Sequence, residues 1–185
     1  MRIIAGEAKG CSLKCPRTPK IRPTADKVRE AVFSALQSRN IDWSCILDMY
    51  AGTGAMGIEA LSRGAAEADF VEINHSCCSA ITDNLNVTGF YDRAHVYRLD
   101  AMKALNILTQ QYSLVFLDPP YSNKENPAIM PKLANSPLVH SGSTIVLEHY
   151  HRMEPETFYG TFQAVTTLSH GDTHVTIYQC KGGSN

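Results

Sequence analysis

Asp48-Met49-Tyr50-Ala51-Gly52-Thr53-Gly54-Ala55-Met56-Gly57 follows the apolar run Cys45–Tyr50 and opens a helical stretch, Met56–Arg63. Gly52, Gly54 and Gly57 have the spacing G-x-G-x-x-G. Such glycines permit a tight turn, close approach of a ligand to the backbone and close packing of the helix. Alone the pattern is weak, but between a strand and a helix it reads as the nucleotide loop of a doubly wound α/β fold. The next strand-like run closes at Glu72, about 20 residues later, where an acid accepts hydrogen bonds from the ribose hydroxyls of an adenosine ligand.

Outward from this loop, the strand-like runs Cys45–Tyr50, Ala68–Ile73, Ala94–Leu99, Leu114–Leu117 and Thr144–Leu147 alternate with helical segments around Met56–Arg63, Ser76–Thr88, Met102–Thr109 and Asn126–Ala134. That alternation predicts a parallel sheet with helices on both faces. It stops near the end, where Thr161–Leu168 and His174–Cys180 flank a turn-rich link and predict an antiparallel hairpin at one edge. At the other end, Gly6, Gly10, Pro16 and Pro19 punctuate a small β-hairpin. A helix capped by Thr24 follows, running to about Ser38, with Val28, Ala31, Val32, Ala35 and Leu36 at helical spacing. Residues 1–40 thus form a basic extension, and residues 41–185 form one compact α/β unit.

Hydrophobic content of 44% and charged content of 19% are those of a globular protein, and no apolar run is long enough to cross a membrane. A soluble, cytoplasmic protein is expected, with no membrane partner and a monomer as the default state. The six cysteines have neither C-x-x-C pairing nor the density of a disulfide framework, so reduced thiols are expected. His149 and His151 flank Tyr150 without a clear third ligand, and no metal is assigned. The net charge of -1 hides an asymmetry: residues 1–40 carry nine Lys or Arg against three acids. A basic arm on an acidic body suits selective binding of a polyanion, although a solvated charged face is the plainer explanation.

Two acids favour S-adenosylmethionine over a dinucleotide. Asp48 is placed to face the ammonium of a methionine moiety, and Asp100, after the third strand, to reach an adenine amine. A pyrophosphate has less use for either carboxylate. The expected cofactor contacts are Asp48, Tyr50, Ala51, Gly52, Thr53, Gly54, Gly57, Glu72, Ile73, Asp100 and Ala101. Asp48, Glu72, Asp100 and Asp118 all close successive strands. The last of them begins Asp118-Pro119-Pro120-Tyr121, a cassette in which two prolines remove two backbone donors and fix two φ angles. The Asp118 carboxylate and the Pro119 carbonyl suit the two N–H bonds of an exocyclic base amine, and Tyr121 offers a face for stacking. That amine is a poor nucleophile because its lone pair is delocalised into the ring. Two fixed acceptors favour a pyramidal nitrogen and aim the lone pair at the methyl group. Asp118, Pro119, Pro120 and Tyr121 are the expected catalytic residues, and an unpaired or flipped nucleotide is the substrate they can reach.

The chain resembles the RsmD family of bacterial small-subunit ribosomal RNA guanine-N2 methyltransferases. The residues that carry the likeness are Arg2-Ile3-Ile4-Ala5-Gly6 with Lys9-Gly10, Arg22-Pro23-Thr24 with Asp26 and Val28-Arg29-Glu30, Leu47 through Gly64, and Asp118-Pro119-Pro120-Tyr121. The resemblance implies an α/β, Rossmann-like class I S-adenosylmethionine-dependent methyltransferase with a seven-stranded, mostly parallel sheet of order 3-2-1-4-5-7-6 and a small N-terminal β-hairpin and helix. It implies as substrate one guanosine of 16S ribosomal RNA within the small subunit or its assembly intermediate, with RNA contacts expected at Arg2, Lys9, Lys14, Arg22, Thr24 and Arg29. Cys11 stands where the family commonly has arginine, and Tyr50 where phenylalanine or a similar residue is usual. The competing readings are an adenine-N6 methyltransferase acting on RNA or DNA, which the same cassette serves, a protein-glutamine methyltransferase, and a noncatalytic RNA-binding assembly factor. An NAD oxidoreductase leaves the Asp-Pro-Pro-Tyr loop unexplained.

Overall fold

Side chains alternate across β1 (Cys45–Met49) and decide the layering. Ile46 enters one apolar cluster, while Cys45, Leu47 and Met49 enter a second cluster on the opposite face of the sheet. The computed structural model describes residues 1–16, 26–120 and 126–180, with only the backbone at Asn126 and Pro127. Arg22, Thr24 and Tyr121 therefore lie outside the described residues, as does the expected start of the first helix.

The parallel strands are β1, β2 (Glu67–Val71), β3 (Ala94–Tyr97), β4 (Leu114–Leu117) and β5 (Thr144–Tyr150). They alternate with α2 (Ala55–Ser62), α3 (His75–Thr88), α4 (Ala101–Ile107) and α5 (Asn126–Ala134), and α1 (Asp26–Gln37) precedes them all. α1, α2 and α3 cover the first cluster, and α4 and α5 cover the second. The chain closes with β6 (Phe158–Tyr159), β7 (Phe162–His170) and β8 (Thr173–Cys180), and the sheet order is β3-β2-β1-β4-β5-β8-β7-β6.

Among the described residues, eight strands replace the seven expected. The extra one, β6, is two residues that pair with the start of β7 at the sheet edge, too short to show an alternation in sequence. With β6 set aside, the order is the expected one, and β8 runs antiparallel between β5 and β7. β5 reaches three residues beyond the expected Leu147 because β8 pairs with it along its whole length, carrying Glu148, His149 and Tyr150 into the sheet.

The N-terminal hairpin has its pairing but no regular strand. A single antiparallel bridge joins Arg2 to Ser12, supported by Ile3 N–H to Cys11 O at 3.0 Å and Leu13 N–H to Met1 O at 3.0 Å. Ile3, Ala8 and Leu13 are buried in the same cluster as α1 and α2. Gly6 lies flat on α2, where a β-carbon would stand 1.7 Å from the Ser62 carbonyl oxygen. Ser62 Oγ accepts from Ala8 N–H at 3.0 Å, and the Glu59 carboxylate accepts from Ile4 and Ala5 N–H at 2.8 and 3.1 Å.

Arg29, expected to meet RNA, is corrected by its burial. Its side chain is fully enclosed, donates to the Arg2 carbonyl and to Asp26 at 3.1 Å, and lies 3.7 Å from Glu59. Burial disfavours its charge and lowers its pKa, with Glu59 and Asp26 opposing the shift. Arg63 completes the group at 2.7 Å from Glu59. Arg29 fastens the arm to the body and has no surface to offer a phosphate. No described helix is long and apolar enough to cross a membrane.

Candidate active site

β1 and β4 are neighbours although two strands and three helices separate them in the chain. At this reversal of strand order the loops after β1 and β4 diverge to opposite faces, leaving a crevice at their carboxyl ends where open α/β sheets bind ligands. Asp48, near the end of β1, and Asp118, directly after β4, both line it.

The glycine loop turns at once. Tyr50 has φ 60°, a conformation that non-glycine residues rarely adopt, and Gly52 and Gly54 follow at 55° and 75°. Gly54 N–H bonds to Ala51 O at 2.7 Å, and Ala51 N–H to Val71 O at 3.1 Å. Gly57 needs its hydrogen for a different reason: a β-carbon there would lie 2.4 Å from the Phe70 ring, so α2 rests directly on β2. Thr53 carries the loop into α2, and its backbone carbonyl accepts from Asn84 at 3.0 Å.

Glu72 pins the loop from β2. Its Oε2 accepts from Gly52 N–H at 2.9 Å and its Oε1 from Asn74 N–H at 2.7 Å. A carboxylate oxygen has two lone-pair sites, so both oxygens retain capacity for ribose hydroxyls. Ile73 beside it is 66% exposed and offers an apolar surface to a flat base. Asp100 caps α4, accepting from Met102 and Lys103 N–H at 3.0 and 3.2 Å through Oδ1, so the cap uses one of its two oxygens. Ala101 is buried in the first turn of α4.

Asp48 lies beneath the loop, 4% exposed, and its Oδ2 accepts from Gly57 N–H at 2.9 Å. Burial pushes its carboxyl up to about 7, against the pull of the Gly57 bond, and the charge of Glu72 adds to the rise. A buried carboxyl poised near neutrality is prepared to ionise when a cation arrives.

Asp118 is the first residue beyond β4 and half-buried, followed by buried Pro119 and exposed Pro120. Asp118 and Asp48 line one narrow cleft together with Val32, Met56, Phe116 and Glu148. Glu148 escapes notice in the sequence because the apolar run ends at Leu147. The signal was present, since Glu148 continues the series of acids near the carboxyl ends of strands. Asn84, also unforeseen, is buried in α3. It accepts from Lys14 N–H at 2.7 Å and donates to Lys14 O at 3.1 Å as well as to Thr53 O, so it ties the basic arm to the glycine loop. Of the remaining expected RNA contacts, Arg2 and Lys9 are exposed, and Lys14 is exposed in an ion pair with Asp83 at 3.0 Å. An open groove of about 300 Å³ lies elsewhere, between β2, β3 and the end of α4, around the 2.6 Å bond from Tyr112 to Asp69. It contains none of the expected site residues.

Residues 1–179 match the family model described as conserved hypothetical protein 95. The chain is similar to the Bacillus subtilis protein named "Putative rRNA methyltransferase YlbH", with 35% identity covering 98% of this chain and 100% of that one. It is also similar to ribosomal RNA small subunit methyltransferase D of Escherichia coli, with 40% identity over 65% of this chain and 60% of that protein. Among solved structures, "Putative methyltransferase yhhF from Escherichia coli" superposes with a TM-score of 0.85 and 27% identity over 98% of both chains.

Proposed function

The chain belongs to the family described as conserved hypothetical protein 95, that of ribosomal RNA small subunit methyltransferase D, and from that membership we propose that it methylates the exocyclic N2 amine of a guanosine in 16S ribosomal RNA. The observation that carries this reading is that Asp118, directly after β4, and Asp48, on adjacent β1 and bonded to Gly57, line one cleft. S-adenosylmethionine supplies an activated methyl group. Glu72 and Asp100 hold its ribose and adenine, Ile73 supports the adenine face, and Asp48 meets its ammonium. Asp118 and the Pro119 carbonyl accept the two N–H bonds of the guanine amine and direct its lone pair outward. The bound cofactor would supply the methyl group to the amine nitrogen, and Asp118 would take up the proton that the nitrogen loses. Tyr121 stacks on the base. Arg2 and Lys9 contact phosphates of the RNA within the small subunit or its assembly intermediate.

The test is to incubate the protein with isotopically labelled S-adenosylmethionine and unmodified small subunits, digest the RNA and identify the labelled nucleoside by mass spectrometry. N2-methylguanosine is the expected product. N6-methyladenosine would overturn the choice of base, and absence of label despite measurable binding of S-adenosylmethionine would leave a noncatalytic RNA-binding factor as the reading.

A further inference from the structure

Leu117 and Leu147 are the last paired residues of β4 and β5, so Asp118 and Glu148 occupy the next step on adjacent parallel strands. Such strands lie about 4.8 Å apart. Both residues follow by two the pair Phe116 and Val146, which face the cleft on the α1 side, and both line that cleft. Two neighbouring acceptors thus stand at its mouth, over a floor formed by Phe116, Val146 and Val175. Asp48 is in register with Phe116, two residues before Asp118, and is engaged by Gly57.

We propose that Glu148 reads the target base by accepting the N1–H of guanine while Asp118 holds the adjacent N2 amine. This rests on the guanine-N2 reading above and goes further by naming the residue that selects the base. The Watson–Crick edge of guanine presents N1–H and the N2 amine side by side, all donors, and these match two carboxylates. Adenine places an acceptor, N1, beside its amine, and that lone pair meets the Glu148 carboxylate as repulsion between acceptors. The Asp-Pro-Pro-Tyr cassette recognises only an amine. Glu148 supplies the second contact that separates the two purines, and rejection by an unpaired acceptor in a closed site is worth far more than a difference in size.

The probe is 2-aminopurine, which keeps the reacting amine and replaces the N1–H donor by an acceptor. Small subunits are reconstituted with 16S RNA carrying it at the guanosine identified by the labelling experiment. The wild-type protein is expected to prefer guanine over 2-aminopurine by at least about a hundred-fold in kcat/KM. Glu148→Gln, whose amide both donates and accepts, is expected to shrink that preference to within about tenfold. Glu148→Asp, which keeps the carboxylate, retains the preference at a lower rate. Equal wild-type rates on the two bases, or a Glu148→Gln variant that discriminates as the wild type does, would overturn the role of Glu148 while leaving methylation of guanosine intact. The wild-type comparison stands even if Glu148→Gln fails to fold. Failure of the guanine-N2 reading shows separately, as a different labelled nucleoside in the first experiment.

Discussion

Asp48 binds a proton near neutrality because its carboxyl is buried, and the unfolded chain has no such enclosure. Its pKa is raised from 3.8 to about 7, so between these values the folded form holds a proton that the unfolded form has released. Stability from this group is therefore fullest below pH 4 and is lost as pH rises through 7. Asp48→Asn keeps an acceptor for Gly57 N–H and cannot ionise. Urea unfolding should show the variant gaining stability relative to the wild type from pH 5 to pH 8. In the proposed binding mode the ammonium of S-adenosylmethionine favours the ionised carboxyl, so wild-type affinity should rise from pH 6 to pH 7.5 in titration calorimetry, with a flatter profile for Asp48→Asn. Asp118 is proposed to act on the acceptor amine instead. Asp118→Ala should lower turnover by roughly 10²–10⁴-fold with affinity for S-adenosylmethionine little changed, and near wild-type turnover would remove Asp118 from the chemistry.

α2 is an eight-residue helix with a task at each end. Its first turn presents Gly57 to Asp48 and to the Phe70 ring, and its last turn presents Glu59 and Ser62 to the N-terminal arm, with Arg63 just beyond it paired to Glu59. The helix therefore couples the position of the arm to that of the glycine loop. Gly57→Ala pushes α2 away from β2 and should cost about 1–3 kcal/mol, as overpacking does, with weakened binding of S-adenosylmethionine in the same calorimetric assay. Glu59→Ala leaves buried Arg29 without its buried acidic partner, with half-exposed Asp26 remaining, and frees two backbone donors. Denaturant unfolding should show a loss of about 3–5 kcal/mol, and hydrogen exchange should show Ile4 and Ala5 losing protection.

The whole molecule places a basic extension beside an acidic body, and the positive charges of the extension divide by burial. Arg2 and Lys9 are exposed, while Arg29 is enclosed. Replacing Arg2 and Lys9 together by Ala should reduce the slope of log affinity for the RNA against log salt by about 1–2. Arg29→Ala should change the unfolding midpoint and leave that slope alone. Local chemistry determined the element types: alternation in β1, helical spacing in α1, the turn-forming glycines after β1 and the stiff cassette after β4 are written in neighbouring residues. The sequence therefore yielded the central strands, the glycine loop and the Asp118 loop. It did not yield the two-residue β6, the added length of β5 or the burial of Arg29, because each depends on a partner distant in the chain. The family resemblance carried the strand order, whereas tertiary structure alone decided that Glu148 stands beside Asp118 and that Glu59 meets Arg29 and the N-terminal backbone. The physical reason is that strand pairing and the exclusion of water from charged groups are properties of the packed sheet and its helices, which no single segment possesses.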